Sequence, residues 1–277
     1  MREFTRSDLA CERQDGRVLR DYELEGYRVS EAEQLRGRER VRYRALHVPY
    51  LARISKAEQH CVARATASLL EQTAKQLVER PACVLIACLG NPRMTPDRIG
   101  PCTAGALEVT RHVQLLDPAA FSRFPGSALC LTVPGVLGDT GVESAELVRG
   151  VVREVGAELV VAVDALAAAK LAHLGSVVQI CDHGMRPGSG LGNRRMPLDR
   201  ESLGCPVVSL GIPVVTDSAA MICDALTLAG ICGVGDALAE HLSRAKRYLV
   251  APGDIDELVT VGGKVLAGAI GTCFGVG

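Results

Sequence analysis

The 277-residue sequence predicts an α/β fold: three layers, a mainly parallel sheet with helices on both faces, and a small antiparallel extension at the N-terminus. Three observations predict it. Beyond residue 82, short apolar runs of strand length alternate with longer helical stretches, a succession that right-handed crossovers turn into a parallel sheet covered on both sides. Aromatics are only 3% of the chain and Trp is absent, so the core is assembled from Val, Leu, Ala and Ile, the residues of strands buried on both faces. A hydrophobic content of 48% at this length also supplies a core that disordered chains lack.

Taken in order, residues 1–50 are charged and irregular, with alternating stretches at 22–29 and 40–48 that suit a small antiparallel element. Arg36, Arg38, Arg40, Arg42 and Arg44 recur at every second position and share one face of a strand. The row reads as a solvated edge that deters stray pairing, or as a basic face for an acidic substrate or a subunit. A helical pattern covers 55–80. It is followed by a strand at 82–89, a helix from about 96 to 113, a strand at 128–133, a helix at 143–155 and a strand at 158–163. A short helix, a strand at 176–181, a glycine-rich loop, a strand at 206–211 and a helix at 217–229 come next. The apolar tail from 259 to 277 is interrupted by Lys264, leaving a run shorter than the ~20 residues of a membrane span. A buried C-terminal helix and no membrane partner are expected. With no internal repeat or linker, the organisation expected is a short propeptide at 1–8 and one domain over 9–277, its extension roughly 9–54.

Lys+Arg total 31 against Asp+Glu 32, so no global field draws the chain to nucleic acid or lipid. The scarcity of aromatics argues against a stacking surface for single-stranded bases. Eleven cysteines are scattered without zinc-ligand spacing, and Cys83, Cys88, Cys130 and Cys181 fall in apolar runs as buried thiols. No cofactor is expected. The opening MREFTRSDLA lacks an apolar stretch of signal-peptide length, so a cytoplasmic location is expected.

Ligand sites of open parallel sheets lie beyond the carboxyl ends of the strands, and four places there carry polar groups. After the first strand come Asn91 and the run Thr95-Pro96-Asp97. Thr95 can cap a helix, Pro96 fits its first turn, and Asp97 is either a helix-start residue or a functional carboxylate. Asp164 closes a run of Val and Ala; a carboxylate there needs a partner, a proton or a helix to cap. Asp182-His183-Gly184 opens a loop containing Gly188, Ser189, Gly190 and Asn193, whose glycines let backbone amides approach a bound chain. The loop is neither a phosphate-binding loop, having no Gly-Lys-Ser/Thr ending, nor a nucleophile elbow, since Pro187 precedes Gly188-Ser189. His183 reads as a loop histidine or as a ligand. Asp217 reads as a cap of the next helix or a further site carboxylate.

The blocks LGNPRMTPDRIGP, TRHV, PGVLGDTGVESAELVRGVV, VVAVDALAA, QICDHGMRPGSGLGNRR and ESLGCPVVSLGIPVVTD, with the opening TRSDLACE, resemble the successive signatures of the germination proteases, in order and over nearly the whole chain. The resemblance implies a homotetrameric endopeptidase of the spore core. It would be made as a zymogen, degrade small acid-soluble spore proteins at germination, and share a fold with hydrogenase maturation proteases. It implies that Asp97 and Asp164 are the catalytic aspartates and that self-cleavage falls between Asp8 and Leu9. Two departures stand near the implied site: Asn91-Pro92-Arg93 where the family commonly has Asn-Trp-Asn, and Asp182-His183-Gly184 where it commonly has Asp-Thr-Gly. Two other readings are a metal-dependent maturation endopeptidase with Asp97, Asp164 and His183 as donors, and a non-catalytic relative holding an acidic peptide against Arg194-Arg195.

Overall fold

A computed structural model describes residues 7–12, 17–36, 39–123, 126–188, 195–231, 235, 238, 240–242 and 248–275. In chain order the strands are β1 (Arg17–Leu24), β2 (Tyr27–Arg36), β3 (Glu39–His47), β4 (Cys83–Cys88), β5 (Ala128–Thr132), β6 (Leu159–Ala167), β7 (Val177–Cys181), β8 (Val207–Asp217) and β9 (Leu249–Val250). The helices are α1 (Lys56–Lys75), α2 (Ile99–Ala106), α3 (Arg111–Leu116), α4 (Pro118–Phe121), α5 (Leu137–Thr140), α6 (Ser144–Val155), α7 (Arg200–Leu203), α8 (Ser218–Leu228) and α9 (Ile255–Phe274). Among the described residues all strands join one sheet, in the order β1-β2-β3-β7-β8-β6-β4-β5, with β9 on the end of β8.

The sheet is mixed. Its heart, β8-β6-β4-β5, is parallel, and β1, β2 and β3 form the expected antiparallel extension. The two halves meet because β7 runs antiparallel to both β3 and β8, a junction that the alternation of strands and helices does not reveal. Side chains alternate between two cores. Val84 and Ile86, Val161 and Val163, and Leu210 and Ile212 pack under α1, α2 and α9. Leu85 and Ala87, Val160 and Ala162, and Val207 pack under α6 and α7.

Several helix ends follow from local chemistry. Ser55 and Glu58 form a reciprocal capping box on α1. Left-handed Gly156 and Gly275 end α6 and α9. The helix expected over 96–113 is broken, because Thr110 leaves it to exchange hydrogen bonds with Leu129 of β5: Thr110 N–H to Leu129 O at 3.0 Å, and Leu129 N–H to Thr110 Oγ1 at 3.0 Å. The strand expected to stop at 163 continues to Ala167, since β8 itself runs on past Gly211 and pairs with it. The short helix after it is a single 3-10 turn, Leu171–His173.

Of the arginine row, Arg36 ends β2, Arg38 lies outside the described residues, and Arg40, Arg42 and Arg44 belong to β3, where Arg40 is solvated but the strand is not an edge. β3 lies between β2 and β7, and Arg44 is only 3% exposed, beside the buried Glu31. Glu31 also meets Arg20 at 2.7 Å and Arg42 at 3.3 Å, while Arg44 donates to Thr73 Oγ1 of α1 at 2.7 Å. The buried C-terminal helix is present but begins earlier than the apolar tail suggested, at Ile255. α9 spans 20 residues and is apolar and long enough to cross a membrane by length and composition alone, yet most of it is buried, against α1 and α2.

Candidate active site

Gly90 leaves β4 at φ +111°, and a Cβ there would lie 2.0 Å from the carbonyl oxygen of Asp97. Glycine is therefore what lets the 3-10 turn Thr95–Asp97 fold back over the strand end. In that turn Asp97 does not cap α2: its Oδ2 accepts the Asn91 N–H at 2.8 Å. Asn91 Oδ1 in turn accepts the Arg93 N–H at 2.9 Å, so this residue shapes the loop. Thr95 donates to Asp256 at the start of α9, at 3.3 Å, instead of capping. Burial raises the Asp97 carboxyl above the ordinary aspartate range, and the Asn91 N–H partly offsets the rise.

Asp164 lies within β6, paired with Gly211 of β8, and is 6% exposed. No helix follows for it to cap, and its Oδ1 accepts only the adjacent Ala165 N–H, at 2.9 Å, among the hydrogen bonds described. Its carboxyl is held well above the ordinary range, first by burial, then by the negative charges of Asp97 and Asp8. A carboxyl buried within the field of a second carboxylate cannot ionise cheaply while that neighbour is charged, which makes Asp164 the group of the two that more readily keeps a proton.

Asp164 lines a recess together with Asp8, Gln179, Met185, Gly188 and Gly211. Gly188 of the glycine-rich loop is thus beside it, while Ser189, Gly190 and Asn193 lie outside the described residues. Asp182 faces elsewhere: its Oδ1 accepts the Arg42 N–H at 2.8 Å, continuing the pairing of β3 with β7, and burial raises its carboxyl. His183 Nδ1 is 3.3 Å from Glu39 Oε2, in a second recess with Asp182 and Arg200. Asp217 caps α8 by accepting the Ala220 N–H at 2.8 Å. Among the described residues no three His, Cys, Asp or Glu side chains group closely enough to hold a metal ion, so Asp97, Asp164 and His183 do not form the donor set the metal-dependent reading requires.

Asp8 and Leu9 are docked in the fold. Asp8 exchanges two hydrogen bonds with Ala167, backbone to backbone at 2.9 Å and carboxylate to N–H at 2.9 Å, and Leu9 is fully buried. The sequence reading passed over Gln179 and Gly211. Gln179 is a polar side chain in an otherwise apolar strand, and Gly211 a glycine within one; those two irregularities were the available signals.

The fold and site define an α/β protein in which a buried aspartate within a parallel strand, Asp164, feels the charge of a partly buried one, Asp97, in the turn after β4. The chain belongs to the germination protease family, whose profile matches residues 10–267. It is 36% identical over 199 residues to the germination protease of Clostridium acetobutylicum, covering 70% of this chain and 61% of that protein. It is 38% identical over 187 residues to that of Clostridium perfringens, covering 68% and 57%. The germination protease of Caldanaerobacter subterraneus matches at 34% over 236 residues, covering 80% and 72%. The chain thus spans about three fifths of the length of the two clostridial relatives. Among solved structures, a [NiFe] hydrogenase maturation protease from Thermococcus kodakarensis is similar at 20% identity and a TM-score of 0.33, covering 64% of this chain and 99% of that one.

Proposed function

We propose that the chain is an endopeptidase that starts the degradation of small acid-soluble spore proteins during germination, with Asp97 and Asp164 activating water. The single observation that carries the mechanism is the burial of Asp164 within reach of the Asp97 charge, in the family whose relatives are named for proteolysis in germination. Asp164, the more deeply buried, keeps a proton; Asp97, steadied by the Asn91 N–H, is the ionised base. Water attacks the scissile carbonyl carbon as Asp97 takes its proton and Asp164 gives its own to the carbonyl oxygen. Collapse of the tetrahedral intermediate returns that proton to Asp164 and sends the proton on Asp97 to the leaving amine, breaking the C–N bond.

The same reading places the protein in the spore core as a homotetramer, made as a zymogen and cut between Asp8 and Leu9. It requires no metal or other cofactor. The dependence of kcat/KM on pH tests the dyad: the parent should give a bell, and Asp97→Asn and Asp164→Asn should each lose roughly 10²–10⁴-fold, the share a positioned acid or base contributes. Full activity in both variants would remove the dyad.

A further inference from the structure

The Gln179 carboxamide is buried at 6% exposure, in a strand whose neighbours Val178 and Ile180 serve the α1 and α9 core. It points to the opposite face of the sheet, the one that carries Asp164. The pairing puts the two in one cross-strand row, since Gly211 is opposite Asp164 on one side and opposite Gln179 on the other. Gly211 has no side chain, and a Cβ there would come within 2.7 Å of the Asp164 carbonyl oxygen and of the Leu166 side chain. The row is therefore a bare floor with a carboxyl on one side and a carboxamide on the other.

Main chain crosses beside this floor. Gln179 Nε2 donates to the Asp8 carbonyl at 2.9 Å and Gln179 Oε1 accepts the Ala10 N–H at 2.9 Å, so one side chain clasps a C=O and the N–H two residues on. A carboxamide matches that pair of groups, one donor and one acceptor held in a plane, and it reads backbone whatever the side chains. Between the two clasped groups Leu9 fills an apolar pocket with Ala45, Leu166 and Val177. These are the contacts of a peptide in a binding slot, made here by the chain's own segment.

We infer that Gln179 is a peptide-positioning residue: after Asp8–Ala10 leaves the slot, its carboxamide clasps the main chain of a substrate segment over Gly211, beside Asp164. The inference rests on the endopeptidase reading for its biological role but is tested by binding alone. The full chain carrying Leu9→Lys, which puts a charge into the apolar pocket and expels the segment, is titrated against a fluorescently labelled hexapeptide of residues 7–12, SDLACE. Binding is expected, and adding Gln179→Leu, which loses both backbone hydrogen bonds, or the size-matched Gln179→Glu, which keeps the acceptor but replaces the donor with an anionic oxygen facing the peptide carbonyl, should weaken it by about tenfold or more. Thermal melting identifies which variants fold, and Gln179→Glu decides if Gln179→Leu does not. Absence of hexapeptide binding to the Leu9→Lys chain, or equal affinity in the folded Gln179 variant, would overturn the inference. Cleavage of a spore protein by the parent is read separately. A Gln179-dependent slot without cleavage would retire the protease reading and leave the slot, whereas cleavage without Gln179 dependence would do the reverse.

Discussion

At the scale of single residues, the raised carboxyl of Asp164 has a consequence for stability that is separate from catalysis. Its pKa in the folded chain lies above the ordinary aspartate value of 3.8, through burial and then the charges of Asp97 and Asp8. The folded state therefore holds its proton at pH values where the unfolded chain has lost it, and stability falls as pH rises from about 4. Asp164→Asn removes this dependence. Its melting temperature should exceed the parent's at pH 7, with the gap closing as the pH is lowered toward 4; a constant gap across that range would show that Asp164 ionises normally. From the residues alone Asp97 and Asp164 were legible as isolated carboxylates after apolar runs, and as a pair only through the resemblance; the action of the Asp97 charge on Asp164 depends on a turn that Gly90 permits. Asp217 was legible only as two alternatives, and the Ala220 hydrogen bond decides for the cap. Gln179 was legible only as one polar residue in an apolar run, which says nothing of what lies across the sheet.

At the scale of elements, the antiparallel extension is attached to the α/β core through charge as well as backbone pairing. Glu31 of β2 is buried at 2% exposure and neutralises Arg44, itself buried and bonded onward to Thr73 of α1 and to Gln76 just past its end. Removing one member of such a buried set strands the other, at a cost of about 3–5 kcal/mol. Glu31→Ala should therefore lower the unfolding free energy obtained from urea titration by that margin, with Glu33→Ala, paired at 3.7 Å with the exposed Arg40, changing it by less than about 1 kcal/mol. Equal small effects would mean that the extension is held by its strands alone. The helices and parallel strands were legible from their periodicity. The break at Thr110 and the reach of β6 to Ala167 were not, because partners distant in sequence, Leu129 and β8, outweigh local pattern there. Of the two readings offered for the arginine row, the solvated edge fails at Arg44 for the same reason: the alternation does not reveal that β7 pairs beside β3.

At the scale of the whole molecule, the chain's own start is part of the site. Ser7–Glu12 lies along the end of β6, with Glu12 accepting the Ala169 N–H at 2.6 Å and the Lys170 N–H at 3.0 Å, and its carboxylate also bonded to Ser7 and His173. This docking places Asp8, the residue before the proposed processing point, close enough to raise the Asp164 carboxyl. On the proposed reading, proteolysis and self-processing would share one centre, and one measurement bears on both. The purified full chain is incubated with a small acid-soluble spore protein, beside Asp97→Asn and Asp164→Asn, and both partners are followed by intact mass. The account predicts that the parent sheds residues 1–8 and fragments the spore protein, and that neither variant does either. A folded parent that leaves the spore protein whole, or an Asp164→Asn chain that cuts it as fast as the parent, would contradict it.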